Sequence, residues 1–131
     1  VIVIDNESFV RDTLRRFLIQ LNFEVLDFAT GGEALLAGQK DETVVDVVIV
    51  DSEMADMTIS DFFSEFRSLQ PQATFISMTG EPGRAPDVEA EGFLFKPFDF
   101  RLLASSLHLA LSKRGHSSIE YLSSRLFKVD V

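Results

Sequence analysis

The chain alternates between two hydrophobic periods. The opening "VIVI" (residues 1 to 4) is a continuous apolar run of strand type, and "FVRDTLRRFLIQL" after it sets Val10, Leu14, Phe17, Leu18 and Leu21 on one helical face. "FEVLDF" (23 to 28) predicts a second strand. Thr30 and Glu33 then have the T-x-x-E spacing of a capping box, opening a helix through Ala34, Leu35 and Leu36. Val44 to Val50 is β-branched and apolar enough for a strand covered on both faces. Ile59, Phe62, Phe63 and Phe66 form the next helical stripe, with Thr58 as its candidate cap and Pro71 beyond its end. "ATFISM" (73 to 78) and "GFLF" (92 to 95) predict a fourth and a fifth strand. "DFRLLASSLHLALSKR" (99 to 114) predicts a closing helix capped by Asp99, with Leu103, Leu107, Ala110 and Leu111 inward.

Strands alternating with helices predict a doubly wound α/β sheet of parallel strands with helices on both faces. In such sheets ligands sit beyond the carboxyl ends of the strands. Asp5 and Asn6 follow the first predicted strand, Asp51 the third, Thr79 the fourth and Lys96 the fifth. Parallel strands would bring these groups to one edge although they span more than ninety positions.

Composition narrows the classes of function. At 131 residues the chain is one domain, large enough to bury about two-thirds of its unfolded surface. A formal charge of −9 argues against a nucleic-acid-binding surface, because phosphate backbones repel such a field, and suits cations. The absence of Cys excludes disulfides, thiol catalysis and Cys-based zinc sites, and is compatible with a cytoplasmic setting. No apolar run approaches membrane-spanning length. The chain opens on Val rather than Met and runs straight into a strand, which suggests a start trimmed from a longer polypeptide.

The strand-end residues suggest a defined chemistry. Asp5, Asn6 and Asp51 supply hard oxygen donors of the kind magnesium takes. Lys96 is a point charge suited to a phosphoryl oxygen, and the Thr79 hydroxyl can donate to another. Asp51, between them, is a candidate nucleophile forming an acyl phosphate. Phosphoryl transfer needs positioning and charge neutralisation more than covalent chemistry by the protein.

The chain resembles the receiver domains of two-component response regulators over residues 1 to about 114. The resemblance rests on the doublet in "VIVIDNE", the Asp closing "VVIVD", Thr79 in "ISMTG", and Lys96 with Pro97 in "FLFKPF". "ATGGEAL" looks like the family's second-helix opening. The resemblance implies a flavodoxin-like sheet of five parallel strands in the order 2-1-3-4-5. It implies that Asp51 accepts a phosphoryl group from a sensor histidine kinase or a phosphotransfer protein. The role is then a signalling one, not that of an enzyme acting on external substrates. Asp5, Asn6, Asp51 and the backbone carbonyl of Glu53 would hold magnesium; Thr79, Gly80 and Lys96 would surround the phosphoryl group. Lys96-Pro97 resembles the family's cis peptide, and Phe93 stands where the family keeps an aromatic that moves with Thr79 on activation.

The chain also departs from the family. Asn6 replaces a second carboxylate, which predicts weaker magnesium binding. Ala55 and Ile59 stand where the family has Pro and Gly, so the loop after Asp51 is expected to be stiffer or to turn differently. Only sixteen residues separate Thr79 from Lys96, short of the usual span by roughly one helical turn. "GEPGRAPDVEAE" holds two Pro and two Gly, which predicts a fourth helix shortened or missing. Residues 115–131 form an extension with Ile119, Leu122, Leu126 and Val129 in a heptad-like stripe, expected to be a helix serving as linker, as homodimer seam, or packed on residues 1–114.

Taken singly, each site residue also fits an ordinary role: Asp5 and Asn6 as helix caps, Asp51 as a loop brace, Thr79 as a strand end, Lys96 and Glu53 as solvated charges, Phe93 as core. Joint placement at strand ends carries the functional interpretation. The alternative is a pseudo-receiver, a protein-interaction module independent of phosphorylation. A hydrolase or nucleotide-binding enzyme is disfavoured by the lack of a P-loop or G-x-G-x-x-G.

Overall fold

A computed structural model describes residues 1–40, 43–81, 83 and 89–113. The elements run β1 (Ile2–Ile4), α1 (Ser8–Gln20), β2 (Leu26–Phe28), α2 (Gly31–Gly38), β3 (Val47–Asp51), α3 (Ile59–Leu69), β4 (Thr74–Thr79), β5 (Gly92–Phe95) and α4 (Phe100–Lys113). The five strands form one parallel sheet in the order β2-β1-β3-β4-β5. The doubly wound arrangement is the one the alternating pattern predicts, and the flavodoxin-like strand order is the one the resemblance implies. Part of the short fourth-helix segment, residues 82 and 84–88, lies outside the described residues, as do residues 114–131 with the expected extension.

Strand parity divides the core into two layers. Ile2, Ile4, Val48, Val50 and Phe75 face α2 and α3, where they meet Phe62, Phe63 and Phe66. Val3, Val47, Ile49, Ile76 and Met78 face the opposite way, against Leu14 and Leu18 of α1 and Leu103 and Leu107 of α4. Successive strand side chains alternate faces, so the unbroken apolar runs of β1 and β3 are what a sheet covered on both sides requires.

Local signals set the helix ends. The Thr30 hydroxyl accepts from the Glu33 amide as an N-cap and donates to the Glu33 carboxylate, so the T-x-x-E pair closes through the two side chains. The Thr58 hydroxyl accepts from Asp61 N at the start of α3, and the Asp99 carboxylate accepts from Leu102 N at the start of α4. At the end of α1, Asn22 adopts φ 66°, and Phe23 N donates back to Leu18 O. This is a Schellman turn, with Asn supplying the left-handed residue that Gly more often fills. β2 and β3 begin three residues into their apolar runs: Phe23 is buried ahead of β2, and Val44 is exposed ahead of β3.

Candidate functional site

The register of the sheet aligns the strand ends. Ile4 lies beside Val50, Asp51 beside Met78, and Thr79 beside Phe95. The hydrogen-bond ladder continues one residue past these ends: Asp5 N donates to Phe28 O, Ser52 N to Met78 O and Lys96 N to Thr79 O. Asp5 and Lys96 are therefore held as firmly as strand residues although neither belongs to a strand. The Lys96–Pro97 peptide beyond is cis.

Parity then decides which side chains meet. Asp5, Asp51 and Lys96 continue the positions of Val3, Ile49 and Leu94 and emerge on the α1/α4 side. There Lys96 Nζ lies 2.7 Å from Asp5 Oδ2 and 3.4 Å from Asp51 Oδ2. The ammonium is seated on Asp5 and only reaches toward Asp51, whose Oδ2 is the less engaged oxygen. Each carboxylate places its other oxygen on a backbone amide, Asp5 Oδ1 on Glu7 N at 2.8 Å and Asp51 Oδ1 on Glu53 N at 3.0 Å. Arg11 Nη1 donates to the Asp5 carbonyl at 2.7 Å.

Thr79 continues Phe75 and Ser77 and so emerges on the opposite side from Lys96. Its hydroxyl donates to Glu53 Oε1 at 2.9 Å and accepts from Glu81 N at 3.1 Å. Phe93 shares that side, packing against the α2/α3 core, while its carbonyl accepts from the Ser106 hydroxyl. Glu53 is thus no mere solvated acid: its amide holds Asp51 and its carboxylate holds Thr79. Sequence reasoning missed that carboxylate, although counting strand parity from Phe75 would have turned Thr79 away from Lys96. Asn6, next to Asp5 in the chain, is exposed. Gly80 is exposed too, and a Cβ there would lie 3.9 Å from the Lys96 stem, so a small residue keeps open the space beside that lysine.

The electrostatics follow from burial. Asp5 and Asp51 are 1% and 5% exposed. Burial pushes the Asp51 carboxyl above its ordinary range, aided by the Asp5 and Glu53 charges and opposed by the Glu53 amide and Lys96. For Lys96 burial alone would lower the pKa, but the hydrogen bond to Asp5 and the two carboxylate charges outweigh it and hold the ammonium charged. One cation between two carboxylates leaves a net negative, oxygen-lined site. Its donors fit magnesium, which accepts one or two carboxylates and completes its octahedron with water or phosphate oxygens. Among the described residues no group of three or more His, Cys, Asp or Glu side chains is arranged to hold a metal.

Comparison with known proteins agrees with this geometry. A family model described as the response regulator receiver domain matches residues 1–108. The regulatory protein VanRB of Enterococcus faecalis is 27% identical over 131 residues, covering 96% of this chain and 58% of that protein. The sensor kinase CckA of Brucella abortus is 31% identical over 119 residues, covering 87% of this chain and 13% of that protein. The chain thus spans little more than half of one curated relative and a small part of the other. Among solved structures, the chemotaxis response regulator CheY4 of Vibrio cholerae superimposes with a TM-score of 0.71 at 28% identity, covering 81% of this chain and 92% of that one.

Proposed function

The chain belongs to the receiver domains of response regulators, the signalling domains of two-component systems, and from that premise we propose that Asp51 is its phosphoacceptor, charged by a sensor histidine kinase or a phosphotransfer protein. The observation that carries the proposal is the placement of Lys96 Nζ between Asp5 and Asp51, side chains 91 and 45 positions away in sequence.

Asp51 Oδ2 attacks the phosphorus of the phosphohistidine. An O–P bond forms, the P–N bond breaks, and the departing imidazole takes up a proton. Lys96 meets the incoming phosphoryl oxygens, so its charge is in place where negative charge accumulates and need not be gathered from solvent. Receiver domains generally bind a divalent cation at the phosphorylation site. Here Asp5, Asp51, Asn6 and the Glu53 carbonyl would hold magnesium, which when bound neutralises phosphoryl charge.

Thr79 and Gly80 complete the phosphoryl surroundings. To donate to a phosphoryl oxygen the Thr79 hydroxyl must leave Glu53 Oε1, and Phe93, on the same side of the sheet, is the aromatic positioned to respond. Phosphorylation would thereby shift the population of one surface face, the β4–β5 side, toward a partner-binding form.

Incubation with a small acyl-phosphate donor and magnesium, followed by intact-mass analysis, tests the proposal. The wild type is expected to gain one phosphoryl group and Asp51→Asn none. Absence of any gain at saturating donor would instead favour an interaction module that works without phosphorylation.

A further inference from the structure

The loop between β3 and α3 carries Glu53 and lacks the family's Pro and Gly, yet it is tightly docked on α2. Asp56 places one carboxylate oxygen on each of two adjacent amides, Oδ1 on Gly31 N at 3.1 Å and Oδ2 on Gly32 N at 2.9 Å. These amides lie in the first turn of α2, where backbone donors have no intrahelical partner and the helix dipole favours an anion. The side chains flanking Asp56 are anchored as well. Met54 and Met57 pack against the α2/α3 core, and a Cβ on Gly31 would lie 3.0 and 3.1 Å from their sulfurs. A Cβ on Gly32 would lie 3.3 Å from Asp56 Oδ2. The glycine pair lets the loop approach, and the carboxylate fixes it there.

We propose that Asp56 is a positioning residue for the phosphorylation site: its two-point contact with the start of α2 holds the loop that sets Glu53 against Asp51 and Thr79. The loop is then pinned at both ends, by the Glu53 amide on Asp51 Oδ1 and by Asp56 on α2. Pinning Glu53 fixes three things together: the amide that orients Asp51, the carboxylate that holds Thr79, and the carbonyl assigned above to the metal. The metal part of this inference rests on the phosphoacceptor proposal; the positioning of Glu53 does not.

The test compares Asp56→Ala, Asp56→Asn and a control, Thr30→Ala, which removes the α2 cap without touching the loop. Two quantities are read: hydrogen-exchange protection of the Glu53 amide, and the magnesium Kd. Asp56→Ala is expected to lower Glu53 protection and to weaken magnesium binding about tenfold, the low end of what loss of a group orienting metal ligands costs. Asp56→Asn, which keeps one acceptor oxygen, should fall between. Thr30→Ala should destabilise α2 yet leave both site readouts within about twofold of wild type. Unchanged Glu53 protection in Asp56→Ala, or an equal loss in Thr30→Ala, would overturn the inference. If the wild type binds no magnesium, the phosphoacceptor proposal is what fails, and the Glu53 amide still reports on Asp56.

Discussion

Lys96 is the residue on which the site balances, because one ammonium serves two buried carboxylates. Lys96→Met should slow phosphorylation by a small donor about a hundredfold, the scale for loss of one preorganised contact to developing charge. Rates at saturating donor check this. Asp51 has a raised pKa through burial, so the ionised form that the proposed attack requires is lost at a higher pH than for an exposed Asp, and the phosphorylation rate should decline accordingly as the solution is acidified. The sign for stability is the reverse. The folded state binds this proton more tightly than the unfolded chain, so ionised Asp51 weakens the fold at neutral pH. Asp51→Asn should have the higher Tm there, with the gain shrinking as pH falls through the folded-state pKa toward 3.8. Asn6 bears on charge in the other direction. Asn6→Asp adds a carboxylate to a site with few, and magnesium titration should show about tenfold tighter binding, since ligand charge count tunes cation affinity.

Elements are held by contacts of two kinds, and only one kind was legible in the sequence. The caps at Thr30, Thr58 and Asp99 and the inward faces of the helices depend on neighbours within a few positions, so spacing alone reveals them. The arrival of Asp5, Asp51, Thr79 and Lys96 at one edge was legible too, because parallel strand ends share an edge whatever the loop lengths. Asp56 on Gly31 and Gly32, and Glu53 on Thr79, depend on how far a loop folds back, which local pattern does not encode. The same holds for Asp27 of β2, which takes both Arg11 and Arg15, one helical turn apart on α1. Hydrogen bonding to Arg15 is the main cause lowering the Asp27 pKa, with Arg11 adding to it. A depressed carboxylate pKa contributes stability that is present above the unfolded value of 3.8 and lost as pH falls through the folded one. Asp27→Ala should therefore cost about 1 kcal/mol in urea denaturation at neutral pH, the upper range for a partly exposed pair. Toward about pH 3 the difference should narrow. On the other face Arg67 ties α3 to the segment just ahead of β5, bonding Glu91 at 2.6 Å and the Glu89 carbonyl while stacking over Phe75 at 4.5 Å.

At the scale of the whole molecule the net charge of −9 sets the field in which these contacts act. A cation taken up at the paired carboxylates relieves repulsion locally, and binding to the folded state alone stabilises it. Magnesium at a hundredfold excess over its Kd should add about 2.7 kcal/mol, read as a rise in Tm beyond that given by sodium chloride of equal ionic strength. Among the described residues no helix is long and apolar enough to cross a membrane. The acidic surface should instead steer a basic patch on a phosphodonor protein, at a rate that falls with added salt. The proposed phosphoacceptor role comes down to one bond, between Asp51 and phosphorus. Borohydride reduction of the protein after treatment with donor and magnesium converts an acyl phosphate to an alcohol at the modified residue, and peptide mass spectrometry then locates it. Reduction at residue 51 alone is the expected result; reduction at Asp5 or Glu53, or at no residue, would contradict the account.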